Sequence, residues 1–379
     1  MHDFDHTDFE LPDLLQEKED AKISVIIPSF KEEALGGVIA KTGELVNAGL
    51  IDEILMVEGS TLNGEIDYET IRVAAEAALD SLEDFDTFKV IHQSLPEICA
   101  LLETNVTHGK GDALYKGVAC SQGDILVFLD ADIMNIEERF ARGLVGPILS
   151  FEEILFSKAY YHRPKFKMRG KTIFGGRVTR LYMLPILKIL CRVYNVLEGL
   201  EDFTYPLSGE VALTREVFES LAMPHHYGIE IAMLIEIYEK FGYETFSQVD
   251  LREHIHHHRS DKALAEMVEQ ITRALFWFVR ENFYLDFGEE MRRRSIIDLY
   301  RSRAFEGLKT VDDFKRIEAY RRSLARGLKT LHEFEMRLHP PFAKRQTMKN
   351  AGASFTNVQS SSLIRSRASS RNVEGCAGR

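Results

Sequence analysis

The 379-residue sequence predicts an α/β fold with a mainly parallel, mixed central sheet and a helical C-terminal extension. Three observations carry that prediction. From Ile23 to Asp130, short β-rich apolar runs alternate with helix-compatible stretches, the spacing of strand–helix–strand crossovers. The run Ile125-Leu126-Val127-Phe128-Leu129 is apolar without interruption, as expected of a central strand buried on both faces. Beyond Asp261 the pattern changes to long helical periodicity.

Taken in order, residues 1–20 are acidic with a brief apolar interruption at Leu14-Leu15, and read as an amphipathic lead-in arm. Ile23–Pro28 is a strand stopped by proline, followed by Ser29-Phe30-Lys31-Glu32-Glu33 and a helix to about Leu50. Ile51–Val57 is a second strand ending at Glu58-Gly59-Ser60-Thr61; a helix over Tyr68–Leu82 and a short strand at Phe88–Ile91 follow. A helix from Gly111 to Ser121 leads into the central strand. Phe140–Ser150 reads as a helix broken near Gly146-Pro147, and Ile154–Tyr160 as another strand. Tyr161–Lys171 is basic and turn-rich, a candidate mobile lid or phosphate-facing loop. A helix runs through Ile186 and Ile189, Thr214–Leu221 is helical, and a further helix extends from Tyr227 to about Phe241. Thr245–Asp250 is strand-like. Helices follow over 263–276, through the arginine-rich stretch to Arg303, and from Asp312 towards Leu338, while 340–379 reads as a mostly disordered tail.

The formal net charge of −12 argues against a nucleic-acid platform, though not against a local basic pocket. The four cysteines form no metal-like cluster, and suggest a reducing compartment. No apolar run approaches membrane-spanning length, and Met1–Asp5 lacks the order of a secretory signal. These features predict a cytoplasmic protein without stable membrane insertion.

Strand ends carry the chemistry. Asp130 and Asp132 close the central strand, and two carboxylates one residue apart can address a hard cation such as Mg²⁺ or Mn²⁺, or simply face solvent. In an open α/β sheet such ends share one edge, where ligands bind. Gly109-Lys110-Gly111 is either a phosphate-facing lysine in a close backbone approach or a flexible turn; it lacks the rest of a P-loop. Gly175-Gly176-Arg177-Val178-Thr179 at a helix start is a compact anion site or a helix cap with a surface arginine. Glu210 can orient backbone or act as acid or base, and Glu230 can meet a helix N-terminus or sugar hydroxyls. Four histidines lie in the run His254–His258; if extended, His254, His256 and His258 share one face and could complete a metal site.

Together the ordered set Pro28–Glu33, Gly109–Gly111, Asp130–Asp132, Gly175–Thr179, Leu207–Glu210, Tyr227–Glu230 and His256 resembles the glucosyl-3-phosphoglycerate synthases, retaining GT-A-type glycosyltransferases. The resemblance spans 21–265 and extends less clearly through 335. It implies an N-terminal arm (1–20), a GT-A catalytic domain (21–265), a helical subdomain (266–339) and the tail. Within the catalytic domain, 21–135 would hold the nucleotide sugar and 136–265 the acceptor. It implies a UDP-sugar donor, a small phosphorylated acceptor and a homodimer. Residue by residue, it places Pro28, Glu32, Ser60, Lys110 and Asp130 around the uridine diphosphate, with Asp132 and His256 as ligands to Mg²⁺ or Mn²⁺ and Asp130 beside the ion. Gly176, Arg177, Thr179 and His258 would hold the acceptor. Glu230 would orient the donor sugar, Leu207 would contribute its backbone carbonyl, and Lys110 and Asp132 would act in catalysis. Two segments depart from the family pattern: Val57–Leu62 stands where Asp-Ser-Gly-Ser-Thr-Asp is usual, and His256-His257-His258-Arg259 replaces His-Arg-Asn-Arg. A mannosyl transferase, a nucleotidyltransferase and a non-catalytic nucleotide-sugar sensor are the alternatives.

Overall fold

The computed structural model describes residues 1–62, 65–102, 104, 108–164, 166–168, 171–256, 259–331, 336 and 338–339. Eight strands form its central sheet: β1 (His2–Asp5), β2 (Ile23–Ser29), β3 (Glu53–Glu58), β4 (Phe88–His92), β5 (Ile125–Phe128), β6 (Phe156–His162), β7 (Val211–Thr214) and β8 (Phe246–Glu253). Their order is β1-β8-β6-β7-β5-β2-β3-β4. Every neighbouring pair is parallel except those of β7, which runs antiparallel between β5 and β6. Side chains alternate across this sheet as the pleat requires. Ile26, Leu55, Val57, Leu126 and Phe128 join one apolar core, while Val25, Ile27, Ile54, Met56 and Val127 join the other. All ten are 1% exposed or less. Each such side chain contributes about 1.5–3 kcal/mol by leaving water, so the apolar runs hold the sheet between its two cores.

Helices cover both faces. Those at Leu35–Asn47 and Tyr68–Ser81 match the predicted crossovers closely, as does Lys110–Cys120. Arg139–Ser150 is one continuous helix with Pro147 inside it, so the expected break is absent. The proline sits in the last turn, where losing one amide donor interrupts little. Gly146 serves packing there: a Cβ would lie 2.2 Å from the Phe9 ring.

Phe9 belongs to a segment that differs from expectation. Residues 1–20 were predicted as a lead-in arm, but β1 pairs in parallel with β8 and the helix Leu11–Glu17 packs against the body. Strand β7 also differs. Val211-Ala212-Leu213-Thr214 is too short and too helix-compatible to declare itself, and its strand state is imposed by partners on both sides. The basic segment expected as a loop contains a short antiparallel pair, Phe166–Met168 with Lys171–Ile173; Lys165, Arg169 and Gly170 lie outside the described residues.

The helices Asp261–Phe283, Glu290–Ala304 and Val311–Lys329 share the first core, contributing Val268, Ile271, Tyr300 and Leu324 among others. Two buried hydroxyls fix them to the helix entered at Thr179: Tyr182 shares a 2.5 Å hydrogen bond with Thr272, and Tyr300 donates to the Leu181 carbonyl at 2.8 Å. The tail expected over 340–379 lies outside the described residues.

Candidate active site

Parallel strands deliver their carboxyl ends to one edge, and the antiparallel β7 delivers its amino end there. A cavity of about 500 Å³ opens at this edge. Pro28 and Glu32 reach it from β2, Asp130 and Asp132 from β5, Leu207 from the approach to β7, and His256 from the exit of β8. Lys110, Gly176, Arg177, Thr179 and Glu230 complete the group from helix starts and their loops. Two expected members are different. Ser60 does not line the cavity: it is fully buried, its amide bonded to Glu58 Oε1 at 2.8 Å and its carbonyl to His92 Nε2 at 2.8 Å. The β3 end turns it inward, and the same turn buries Glu58. His258, with His257, lies outside the described residues.

Lys110 is the electrostatic centre. Its ammonium sits 2.6 Å from Asp130 Oδ1 and 3.0 Å from Glu230 Oε1. Burial disfavours its charge, but Asp130, Glu230 and Glu210 outweigh that and hold its pKa well above the ordinary lysine value. Burial pushes the Asp130 carboxyl up to about 6; Lys110 pulls against the rise, while Glu210 and Asp132 add to it. Glycine is required around this lysine. Gly109 adopts φ +146°, and a Cβ at Gly111 would lie 1.8 Å from the Pro224 carbonyl oxygen. A Cβ at Gly209 would lie 2.3 Å from Lys110 Nζ and 2.6 Å from Asp130 Oδ2, so that turn packs directly on the ion pair.

A fully buried brace stands behind the Gly109 loop. Gln93 Nε2 donates to the Gly109 carbonyl at 2.8 Å and to Asp112 Oδ2 at 3.0 Å; Lys116 Nζ donates to the same carboxylate at 2.9 Å and to the Gln93 carbonyl at 2.7 Å. Such a satisfied network specifies one loop geometry. Lys158 plays a comparable part on β6. Its fully buried amine donates to the Ser208 carbonyl at 2.7 Å, and burial pushes its pKa down to about 7 against the pull of Glu230 and Glu210. Neither brace was anticipated, although a lysine inside an apolar strand was itself a signal.

Asp132 and His256 face each other, Oδ2 to Nδ1, at 3.5 Å. An isolated antiparallel bridge between Ile133 and His256 holds them together, with Asn135 Oδ1 accepting from the Ile255 amide at 2.8 Å. Their separation is less than two metal–ligand bonds of about 2.1 Å each, so both donors can reach one ion. A carboxylate oxygen with an imidazole nitrogen is a donor set that Mn²⁺ accepts and Mg²⁺ tolerates. Among the described residues no three His, Cys, Asp or Glu side chains converge as a metal cage, so further ligands must come from elsewhere. Asp130, expected beside the ion, has its Oδ1 2.6 Å from Lys110 Nζ. His254 also lines the cavity, and its Nε2 lies 3.1 Å from Glu210 Oε1. Burial would raise the Glu210 carboxyl, but His254, Lys110 and Arg163 hold it well below the usual carboxylate range. Tyr161 donates to its second oxygen at 2.9 Å, leaving a buried anchor rather than a reagent.

At the opposite end, Gly176 has φ +63° and leads into the helix bearing Thr179. Arg177 is engaged by Asp261 and by the Arg259 carbonyl at 2.9 Å, and Asp261 is shared with Arg316 at 3.0 Å. The first helix of the C-terminal extension therefore fixes the arginine that the sequence assigned to an anion.

A curated glucosyl-3-phosphoglycerate synthase of Petrotoga mobilis is 35% identical over 306 residues, covering 78% of this chain and 85% of that protein. The chain belongs to the glucosyl-3-phosphoglycerate synthase family. The synthase of Mycolicibacterium smegmatis is 30% identical, covering 72% of this chain and 83% of its own. The crystal structure of the Mycobacterium tuberculosis synthase with Mg²⁺ and UDP superposes with a TM-score of 0.60 at 31% identity, covering 73% of this chain and 86% of that one. Another structure of that synthase, with Mn²⁺, UDP-glucose and phosphoglyceric acid, superposes with a TM-score of 0.58 at 32% identity, covering 71% and 84%. No family model matches the chain. The fold is thus that of a GT-A-type glycosyltransferase, and the cavity is the feature to be read against the synthase reaction.

Proposed function

We propose that this chain transfers glucose from UDP-glucose to D-3-phosphoglycerate, with retention at the anomeric carbon. The observation that carries the reading is one cavity holding the Lys110–Asp130–Glu230 cluster, the Asp132–His256 pair and the Gly176–Thr179 segment, in a chain 35% identical to such a synthase. Pro28 and Glu32 border the nucleoside end of the donor. Asp132 and His256 hold Mg²⁺ or Mn²⁺, which supplies neutralisation of the diphosphate when bound. Lys110, kept charged by its two carboxylates, stabilises the negative charge that develops on the leaving diphosphate as the C1–O bond breaks. Arg177, Thr179 and the Gly176 backbone orient the phosphorylated acceptor, so that its hydroxyl approaches C1 on the face the diphosphate leaves. The acceptor oxygen forms the new C1–O bond there, and its proton passes to the departing phosphate oxygen. Leu207 offers its carbonyl beside this face. Glu230 orients sugar hydroxyls; because its Oε1 is engaged by Lys110 at 3.0 Å, we favour this same-face route over a covalent glycosyl–Glu230 intermediate.

In this reading residues 21–135 serve the donor, 136–265 the acceptor, and 266–339 brace the acceptor side through Arg316, which shares Asp261 with Arg177. The family resemblance supports a homodimer, and the buried free thiols Cys99, Cys120 and Cys191 are compatible with the cytoplasm; sedimentation and cell fractionation test these two points. The function itself is tested by a matrix of UDP- and GDP-sugars against 3-phosphoglycerate and related acceptors. UDP-glucose with 3-phosphoglycerate should give the highest kcat/KM. Preference for a GDP-sugar, or donor binding without transfer to any acceptor, would refute it.

A further inference from the structure

Arg163 follows the last residue of β6 at the catalytic edge and lines the cavity. Its guanidinium is fixed in plane: Nε donates to Tyr205 OH at 2.8 Å and Nη2 to Tyr161 OH at 3.2 Å, with Cζ 4.9 Å from the Tyr161 ring centre and 5.3 Å from that of Tyr205. Both partners are hydroxyls. Among the described residues no carboxylate lies within ion-pair distance of Arg163; Glu210 acts on it at longer range, through the Tyr161 hydroxyl that bonds to both, whereas Arg177 is paired directly with Asp261. Arg163 Nη1 is buried without any hydrogen-bond partner. A buried donor left unmade on a charged group is costly, and an anion is its natural complement.

The surroundings say which anion. Gly175 rests directly on Arg163, since a Cβ there would lie 2.4 Å from the arginine Cβ; one at Gly176 would lie 3.1 Å from Tyr205 OH. The Arg163–Tyr205 pair is therefore the wall beside the Gly175–Thr179 segment. Arg259, the other cavity arginine bonded to a neutral hydroxyl, lies instead on Tyr227 near the start of the Glu230 helix. An acceptor with a phosphate at one end and a carboxylate at the other needs two sites. The phosphate suits a glycine-rich backbone at a helix N-terminus. The planar carboxylate suits a guanidinium already held flat.

We propose that Arg163 is the second anion-binding residue of the acceptor site, taking the acceptor carboxylate while the Gly175–Thr179 segment takes the phosphate. This rests on the synthase reading above. Acceptor binding separates the two ideas, because it is measured apart from turnover. Calorimetric titrations of the full chain loaded with Mn²⁺ and UDP would compare 3-phosphoglycerate with glycerol 3-phosphate, which lacks the carboxylate. In the wild-type protein 3-phosphoglycerate binds tenfold or more tightly than glycerol 3-phosphate. In Arg163→Met its affinity falls 10- to 100-fold, that of glycerol 3-phosphate changes less than threefold, and UDP affinity is unchanged. Arg163→Lys, which keeps the charge and is the gentler change for folding, recovers part of the loss. An equal loss for both ligands, or a carboxylate preference that vanishes in Arg259→Met but survives in Arg163→Met, overturns the Arg163 assignment and leaves the synthase reading standing. Failure of the wild-type protein to bind 3-phosphoglycerate overturns both.

Discussion

Replacing Lys110 with methionine removes the cation around which the cavity is arranged while keeping the length of the side chain. Its ammonium is within 3.0 Å of two carboxylates, so the substitution leaves Asp130 and Glu230 facing a shared space without a counter-charge. Burial already raises the Asp130 carboxyl, and the substitution removes the cation that pulls against that rise. The leaving group loses its counter-charge as well. Two unit charges about 4 Å apart in a partly buried site interact by about 4 kcal/mol, and part of this is realised only as the diphosphate departs. The expected loss in kcat is therefore about 10²- to 10³-fold, with weakened UDP affinity and a fall of a few degrees in the melting temperature. Lys110→Arg should rescue poorly, because the Gly209 turn and the two carboxylates close around a single ammonium nitrogen. Steady-state kinetics at saturating acceptor, with UDP titrations and thermal unfolding alongside, measure all three. A kcat/KM for UDP-glucose within fivefold of wild type would refute the electrostatic role.

Other perturbations probe separate parts of the cavity. Asp132→Ala and His256→Ala should each raise the Mn²⁺ concentration needed for half-maximal activity by tenfold or more, with melting temperature nearly unchanged; an unaltered metal titration would remove either from the metal pair. Arg177→Ala should raise the KM for the acceptor about 10- to 100-fold and that for UDP-glucose less than threefold, whereas equal effects would take it out of the acceptor site. Lys158 gives a pH prediction. Burial holds its pKa at about 7 in the folded protein, below the ordinary lysine value of 10.5. Above pH 7 the folded chain releases a proton that the unfolded chain still holds, so this residue's contribution to stability rises with pH. Denaturant unfolding of wild type relative to Lys158→Met should gain about 2 kcal/mol between pH 7 and 9; a flat difference would place the Lys158 pKa near its ordinary value.

Much of this fold was legible because uninterrupted apolar runs allow few alternatives. Ile23–Ser29 and Ile125–Phe128 are buried on both faces, and the helices between them keep a clear apolar stripe. Val211–Thr214 was not legible, because four residues carry no usable period and their state is decided by Phe128 and Lys158 across the sheet. The first residues were misread for a related reason: nothing in His2–Asp5 announces that the edge of β8 lies ready to pair with it. At the site, strand-end logic puts Asp130 and Asp132 at the edge where the cavity opens, while Lys110 stood out through the glycines on either side of it. Ser60 follows a strand in the same way, but it is buried, with its backbone bonded to Glu58 and His92. The supporting residues Gln93, Lys116, Asp261 and Arg163 act through contacts between segments far apart in sequence, which spacing cannot reveal.

The central claim is the transfer itself. It is tested most directly by incubating the purified chain with Mn²⁺, UDP-glucose and 3-phosphoglycerate and resolving the product by NMR. The account predicts UDP release that depends on the acceptor, matched mole for mole by a glucosyl phosphoglycerate whose anomeric proton shows the α configuration of the donor. A β-linked product would contradict the same-face mechanism. UDP release without any phosphoglycerate-linked sugar would contradict the function.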